Sequence, residues 1–341
     1  MSDIQIKRVL PQAALPGGEV RIEYAGPELE GADRPEVRFD TFDAQVMLAS
    51  STLIIAKVPE SSSESGTSNL SVCDNGGASA PFPYNVGKRL ATNLHPVANP
   101  ALDSDGNIYT TYSGRRGQQT PVSIYKITPA GAVTPFTVDI MNATGLAFGL
   151  DGTLYVSSRQ SGNVYAVGPA GRAEIYTEGM GVATGLAFDR NSNLYVGDRS
   201  GSIFKISPDK EIFVFATLEP SMAAYHLAYG LDEYLYVTGP TTSSFDSVYR
   251  ISPTGEVEKF LTGMGRPQGL AFDIEGNLFV AASWRGRRGV FRLPPGGGVP
   301  ELAVSGLGLA GLAFDHSGNL IVADNSSVYR VHAGTMGKPL P

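Results

Sequence analysis

Arginine recurs where this chain changes direction. Six stretches of similar texture succeed one another: Tyr112-Ser113-Gly114-Arg115-Arg116-Gly117-Gln118, Ser157-Ser158-Arg159-Gln160, Gly197-Asp198-Arg199-Ser200, Thr238-Gly239-Pro240-Thr241-Thr242-Ser243-Ser244, Ser283-Trp284-Arg285-Gly286-Arg287-Arg288 and Ala323-Asp324-Asn325. Four of the six carry arginine. A guanidinium is planar, always charged and forked, which suits a carboxylate or phosphate. If these loops share one face, they frame a mouth for a small polar or anionic molecule. Positions just before the neighbouring apolar segments add Thr144, Thr184, Tyr225, His226 and Gln268, with Arg266 nearby. The candidate ligand-binding residues are therefore Arg116, Arg159, Arg199, Arg266, Arg285, Thr144, Thr184, Tyr225, His226 and Gln268, and His226 is the candidate for a catalytic role. Each has a plainer reading. A loop arginine can pair with a carboxylate such as Asp198 or cap a carbonyl. Trp284 and Tyr112 either stack on a ligand or pack between loops, and a histidine in a strand is often structural.

Other chemistry is thinly represented. There is no Gly-x-Ser-x-Gly elbow, no His-Glu-x-x-His and no phosphate loop. Asp103-Ser104-Asp105-Gly106-Asn107 has a calcium-loop look, but its glycine falls too early and Gly114 stands where a bidentate Glu would be needed. It is read as a hairpin turn. Cys73 is the only cysteine, which excludes an intramolecular disulfide and a cysteine-based zinc site.

These loops need a frame, and the sequence repeats one. Gly-Leu-Ala-Phe occurs at 145–148, 185–188, 269–272 and 311–314, with diverged copies Asn99-Pro100-Ala101-Leu102 and His226-Leu227-Ala228-Tyr229. Each precedes a polar turn and a second apolar run, such as Leu154-Tyr155-Val156 or Leu194-Tyr195-Val196. The turns fall at 106, 152, 192, 233, 276 and 318, a period of 40–46 residues. A third, alternating run follows (Asn163-Val164-Tyr165-Ala166-Val167, Ser247-Val248-Tyr249-Arg250-Ile251) and usually a fourth, as in Glu211-Ile212-Phe213-Val214-Phe215. Periods of this length with several short strands each describe the blades of a β-propeller. The fold class expected is all-β, with a six-bladed propeller. The last repeat lacks a fourth strand, and the segment from Asn85 to Leu94 is placed to supply it. That would close the ring and remove a bare edge.

The first 84 residues differ in texture. Ile6 to Pro11, Val20 to Ile22, Glu36 to Phe39, Leu53 to Val58 and Asn69 to Val72 read as strands, with no helical pattern between them. A small immunoglobulin-like β-sandwich is expected over residues 1–84, and the propeller over 85–341.

On these motifs the propeller part resembles NHL-repeat propellers and the senescence-marker/gluconolactonase-like family. The amino-terminal part, with Pro16-Gly17-Gly18 before a strand, Ala56-Lys57-Val58-Pro59, and Asn75-Gly76-Gly77-Ala78-Ser79, resembles an IPT/TIG domain. The latter resemblance implies a spacer or interaction module. The former implies a divalent cation on the axis, held by Glu, Asp and Asn at the starts of inner strands. The corresponding positions here are Ala98 or Asn99, Thr144, Thr184, Tyr225, Gln268 and Ala310, with no carboxylate among them. No cofactor is assigned, and calcium or another divalent cation would have to bind without the family's carboxylates.

Composition bounds the partners. Hydrophobic residues make up 42% of the chain and charged ones 17%, with 41 Gly and 23 Pro, which suits many short strands joined by tight turns. A net charge of −7 argues against nucleic acid or an anionic membrane as the main partner. No amino-terminal apolar segment reads as a signal peptide, so a cytoplasmic location is expected. Two functions compete: a propeller that binds a small polar or anionic ligand at its arginine-bearing axial face, with or without gluconolactonase-like hydrolysis at a non-standard site, and a non-catalytic scaffold for a protein or glycan.

Overall fold

Runs of four to seven residues with alternating or continuous apolar character become strands throughout the chain. The computed structural model describes residues 4–26, 35–63, 66–74, 77–115, 117–243, 245–332 and 337. Among these the only helical element is the short 3-10 turn Glu60–Ser63.

The repeat becomes a series of four-stranded antiparallel sheets. The first contains Ala101–Leu102, Ile108–Thr111, Ile124–Ile127 and Val133–Thr137. The second contains Ala143–Phe148, Leu154–Ser158, Val164–Val167 and Ala173–Thr177. The third contains Ala183–Phe188, Leu194–Asp198, Ser202–Ile206 and Ile212–Thr217, and the fourth His226–Tyr229, Leu235–Thr238, Asp246–Ile251 and Val257–Met264. A fifth set, Leu270–Phe272, Leu278–Trp284, Arg287–Leu293 and Glu301–Ser305, continues into the amino-terminal strands. The sixth, Gly311–Phe314, Asn319–Ala323 and Val328–His332, is completed by Lys88–Ala91 from far earlier in the chain. Asn85 and Val86 do not take part in that closure. They belong to Phe82–Val86, because Tyr84 and Val86 alternate into the amino-terminal core.

Burial grades outward across each sheet. Every residue of the second strands Leu154–Ser158 and Leu194–Asp198 is buried, whereas Val133–Thr137 and Ile212–Thr217 are mostly exposed. Second strands covered on both faces must lie between neighbouring sheets, an arrangement consistent with a β-propeller. One aromatic contact repeats around it. The aromatic that ends each Gly-Leu-Ala motif meets the second-strand aromatic of the preceding sheet. The pairs are Tyr109 with Phe148 (5.3 Å between ring centroids), Tyr155 with Phe188 (4.9 Å), Tyr195 with Tyr229 (6.0 Å), Tyr236 with Phe272 (5.0 Å) and Phe279 with Phe314 (5.0 Å). Each is worth about 0.5–1.5 kcal/mol beyond area burial. Between the sixth and first sheets the contact is aliphatic, with Ile321 and Leu102 in one buried cluster.

The turns repeat a device too. Asp103, Asp189, Asp273 and Asp315 each accept the backbone N–H of the asparagine four residues on and the side-chain amide of the same asparagine. At Asp103 both oxygens are consumed this way, with Tyr109 Oη adding a bond at 3.0 Å. Burial tends to raise the Asp103 pKa, but Asn107, Tyr109 and the Lys126 charge together hold it below the ordinary carboxylate value. This stretch is a closed turn.

The amino-terminal strands enclose a core of their own, including Val20, Ile22, Phe39, Ile54, Leu70, Val72 and Tyr84. The two parts are joined through Ala13–Ala14, which pairs in parallel with both Val304–Ser305 and Asn85–Val86. Leu15 reinforces the join, donating its N–H to the Ser305 carbonyl at 2.8 Å and packing with Val290, Val304 and Val331.

Candidate functional site

The fifth sheet is built differently from the others, and the difference makes a cavity. Its second strand, Leu278–Trp284, has seven residues where corresponding strands have four or five. The preceding segment lies along it: Gly265 and Ser283 exchange both backbone bonds, at 2.8 and 2.9 Å, and Gln268 N–H donates to the Ala281 carbonyl at 2.9 Å. Held between these anchors, Arg266 adopts φ = 48°, the left-handed region that costs a non-glycine residue about 1 kcal/mol or more. The strained backbone presents an exposed side chain at the edge of a hollow of about 270 Å³.

Arg266, Gln268 and Arg288 line this hollow, with Ser283 and several glycines. No carboxylate lines it, and no ion pair of Arg266 or Arg288 occurs among the described residues. Two guanidiniums and one amide can together bind carboxylate or phosphate oxygens through charge-assisted bonds.

The other sequence candidates are distributed elsewhere. Arg159 Nη2 donates to the Gly114 carbonyl at 2.7 Å. Arg199 reaches two carbonyls of the connection to the fourth sheet, Ser221 at 3.4 Å and Met222 at 2.9 Å. Both arginines tie adjacent loops, the carbonyl-capping alternative. Arg285 turns away from them, into a separate cleft beside the amino-terminal strands. Its guanidinium carbon lies 5.7 Å from the Trp284 ring centroid. Arg116 lies outside the described residues. Thr144 Oγ1 donates to the Asn142 carbonyl at 3.0 Å. Thr184 Oγ1 donates to Gly197 at 2.8 Å and accepts the Tyr225 N–H at 3.1 Å. Tyr225 is buried, with its hydroxyl on the Glu219 carbonyl. Thr184 thus ties the third sheet to the start of the fourth, while the Thr144 and Tyr225 hydroxyls are spent on carbonyls of their own segments.

His226 is 2% exposed, and its Nδ1 has no hydrogen-bond partner. Burial pushes its pKa down to about 4. A general base has to reach its substrate, and this ring is sealed inside the fourth sheet.

The donor set at the inner-strand starts does not fit a divalent cation. Asn99, the one family-like residue there, is committed on both sides. Its Oδ1 accepts the Leu312 N–H at 3.1 Å and its Nδ2 donates to the Leu270 carbonyl at 3.1 Å. Among the described residues no group of three or more His, Cys, Asp or Glu side chains is placed to hold a metal ion. Asn99 is a fastener between the first, fifth and sixth sheets. Asn99→Ala is expected to cost about 2 kcal/mol, since two backbone groups lose their partner. Urea unfolding measures it. Further along the axis, a cavity of about 170 Å³ is walled by Leu146, Leu186, Leu227, Leu270, Leu312 and their neighbours, which offers little to a polar ligand.

Arg288 was the participant that sequence reasoning missed. It stands in an arginine-bearing loop already singled out, but its place beside the hollow depends on the strand register, which sets Arg288 opposite Ser283.

No protein-family model matches the sequence, and no functionally curated protein matches it. Solved structures do. A gluconolactonase from Xanthomonas campestris is similar with a TM-score of 0.59 at 14% identity, over 89% of this chain and 99% of that one. An auxiliary nutrient binding protein from Bacteroides ovatus is similar with a TM-score of 0.53 at 14% identity, over 96% of this chain and 98% of that one. Virginiamycin B lyase from Staphylococcus aureus is similar with a TM-score of 0.52 at 14% identity, over 87% of this chain and 99% of that one. These likenesses show a shared fold, that of gluconolactonase-like and lyase propellers.

Proposed function

We propose that residues 85–341 form a six-bladed propeller, that residues 1–84 form an immunoglobulin-like module of IPT/TIG type, and that the protein binds a small polar or anionic molecule at the arginine-bearing face of the fifth sheet. The observation that carries this reading is the convergence of Arg266, Gln268 and Arg288 on one hollow with no acid in its wall. Binding is favoured over hydrolysis because the one histidine considered for catalysis is buried. The likeness to a nutrient binding protein over nearly the whole chain accords with it.

Calorimetric titration with citrate, gluconate and inorganic phosphate, with glucose as the uncharged comparison, tests the proposal. At least one anion should bind with a stoichiometry of one, and Arg266→Ala should weaken it roughly ten- to thirtyfold, the loss of one charge-assisted contact. Binding of no anion, or binding that Arg266→Ala leaves intact, removes this hollow as the site.

The scaffold reading has one feature in its favour. The outer strand Ile212–Thr217 leaves Ile212, Phe213 and Val214 43, 51 and 64% exposed. A protein partner covering that strand would be lost on Phe213→Ser, with anion binding unaffected.

A further inference from the structure

A cavity of about 650 Å³ lies between the amino-terminal strands and the fifth sheet. Strand alternation supplies one wall. In Glu19–Ala25 and Leu53–Lys57 the residues Val20, Ile22, Ile54 and Ala56 turn into the core, leaving Glu19, Arg21, Ile55 and Lys57 to line the cleft. The lengthened hairpin supplies the other. Its tip, Arg285-Gly286, has φ of 49° and 78°, as a tight two-residue turn requires. Arg285, Arg287 and Arg288 all line the cleft.

Five cations thus face one carboxylate, Glu19, and none of the five has an ion-pair partner among the described residues. Such a cluster repels itself unless a counter-charge enters. A second observation is independent of the charges. Ser305 in the cleft lining is 2% exposed, and its Oγ has no hydrogen-bond partner. Buried hydroxyls are rarely left so. The walls are also fixed relative to one another, since Ala13–Ala14 pairs with Val304–Ser305 directly beside the cleft.

We propose that this interdomain cleft is a second binding site, for a small molecule that carries several phosphate or sulfate groups. The surplus of four positive charges exceeds what one carboxylate can balance. The volume suits a ligand of about disaccharide size, and concave walls on two domains exclude an extended polymer lying flat. The proposal does not depend on the neighbouring hollow, although Arg288 borders both.

Two probes distinguish the sources of the anionic groups: sodium tripolyphosphate and a trisulfated heparin disaccharide, each titrated calorimetrically into the full chain at 0.15 M salt. One or both should bind once per chain, and the better one names the ligand chemistry. Arg21→Ala and Arg287→Ala should each weaken binding at least tenfold, and Lys57→Ala combined with Arg287→Ala should abolish it. Lys259→Ala, on an outer strand of the fourth sheet, should change it less than twofold, which separates a built site from general charge. Thermal unfolding of each variant checks that the fold is retained. The proposal fails if neither probe binds, if the cleft variants bind like the parent, or if Arg266→Ala alone weakens the probe, placing it in the neighbouring hollow.

Discussion

Gly311→Ala is expected to destabilise the protein by about 3 kcal/mol, read as a lowered midpoint of urea unfolding at an unchanged slope. A Cβ at this position would stand 2.1 Å from the Ala98 carbonyl oxygen and 2.8 Å from Asn99 Cα. Both atoms belong to backbone, so no side chain can swing aside. The same closeness occurs at Gly145, whose added Cβ would lie 2.1 Å from the Thr184 carbonyl oxygen. The repeated glycine is therefore where one inner strand touches the next, and the methyl group would have to push two sheets apart. Gly168→Ala is the control. Its nearest neighbour would be the Arg172 carbonyl at 3.9 Å, and its stability should stay within about 0.5 kcal/mol of the parent. Equal, small losses at both positions would show that the inner strands are not held together by contact.

The second large effect is one of pH. His226 stays neutral in the folded chain down to about pH 4, whereas an unfolded histidine takes up its proton near pH 6.5. Between those values the unfolded chain binds more protons, so stability must fall as pH falls. The window amounts to about 3 kcal/mol at 1.36 kcal/mol per pH unit. His226→Gln should flatten the curve of unfolding free energy between pH 6.5 and 4 by that amount, whatever it does to stability at pH 7. Paired carboxylates act lower. The Ser68 hydroxyl and the Asn69 backbone hold the Asp40 pKa below the ordinary carboxylate value, so its contribution is lost only under more acid conditions. An unchanged pH profile in His226→Gln would mean that the ring is not sealed from water.

Much of the frame was legible because it is periodic and local. Apolar runs such as Leu-Tyr-Val, following turns spaced 40–46 residues apart, mark second strands, and Gly-Leu-Ala-Phe marks the first ones. The aromatic at the end of that motif packs between sheets, and five aromatic pairs occupy such positions. The lack of a carboxylate at the inner-strand starts was equally plain, since it needs only the alignment of repeats. What was not legible depends on reach and register. Whether Arg199 meets Asp198, a ligand or the Met222 carbonyl is decided by where a neighbouring loop passes. Arg285 and Arg266 fall in the same repeat, but the extra residue pairs of one hairpin carry Arg285 to another cleft. Lys57 and Arg287 are separated by more than two hundred residues, and no local pattern brings them together.

The pairing of Lys88–Ala91 with Val328–His332 has a consequence for synthesis. The ribosome makes the first strand long before its partner exists. At about 5–20 residues per second the wait is roughly 12–50 s. Throughout that interval the nascent polypeptide carries bare backbone donors and acceptors at a strand edge. Ala13–Ala14 waits similarly for Val304–Ser305. Translation arrested between these points would release chains with two unfilled strand positions, each a template for another copy emerging from the same message.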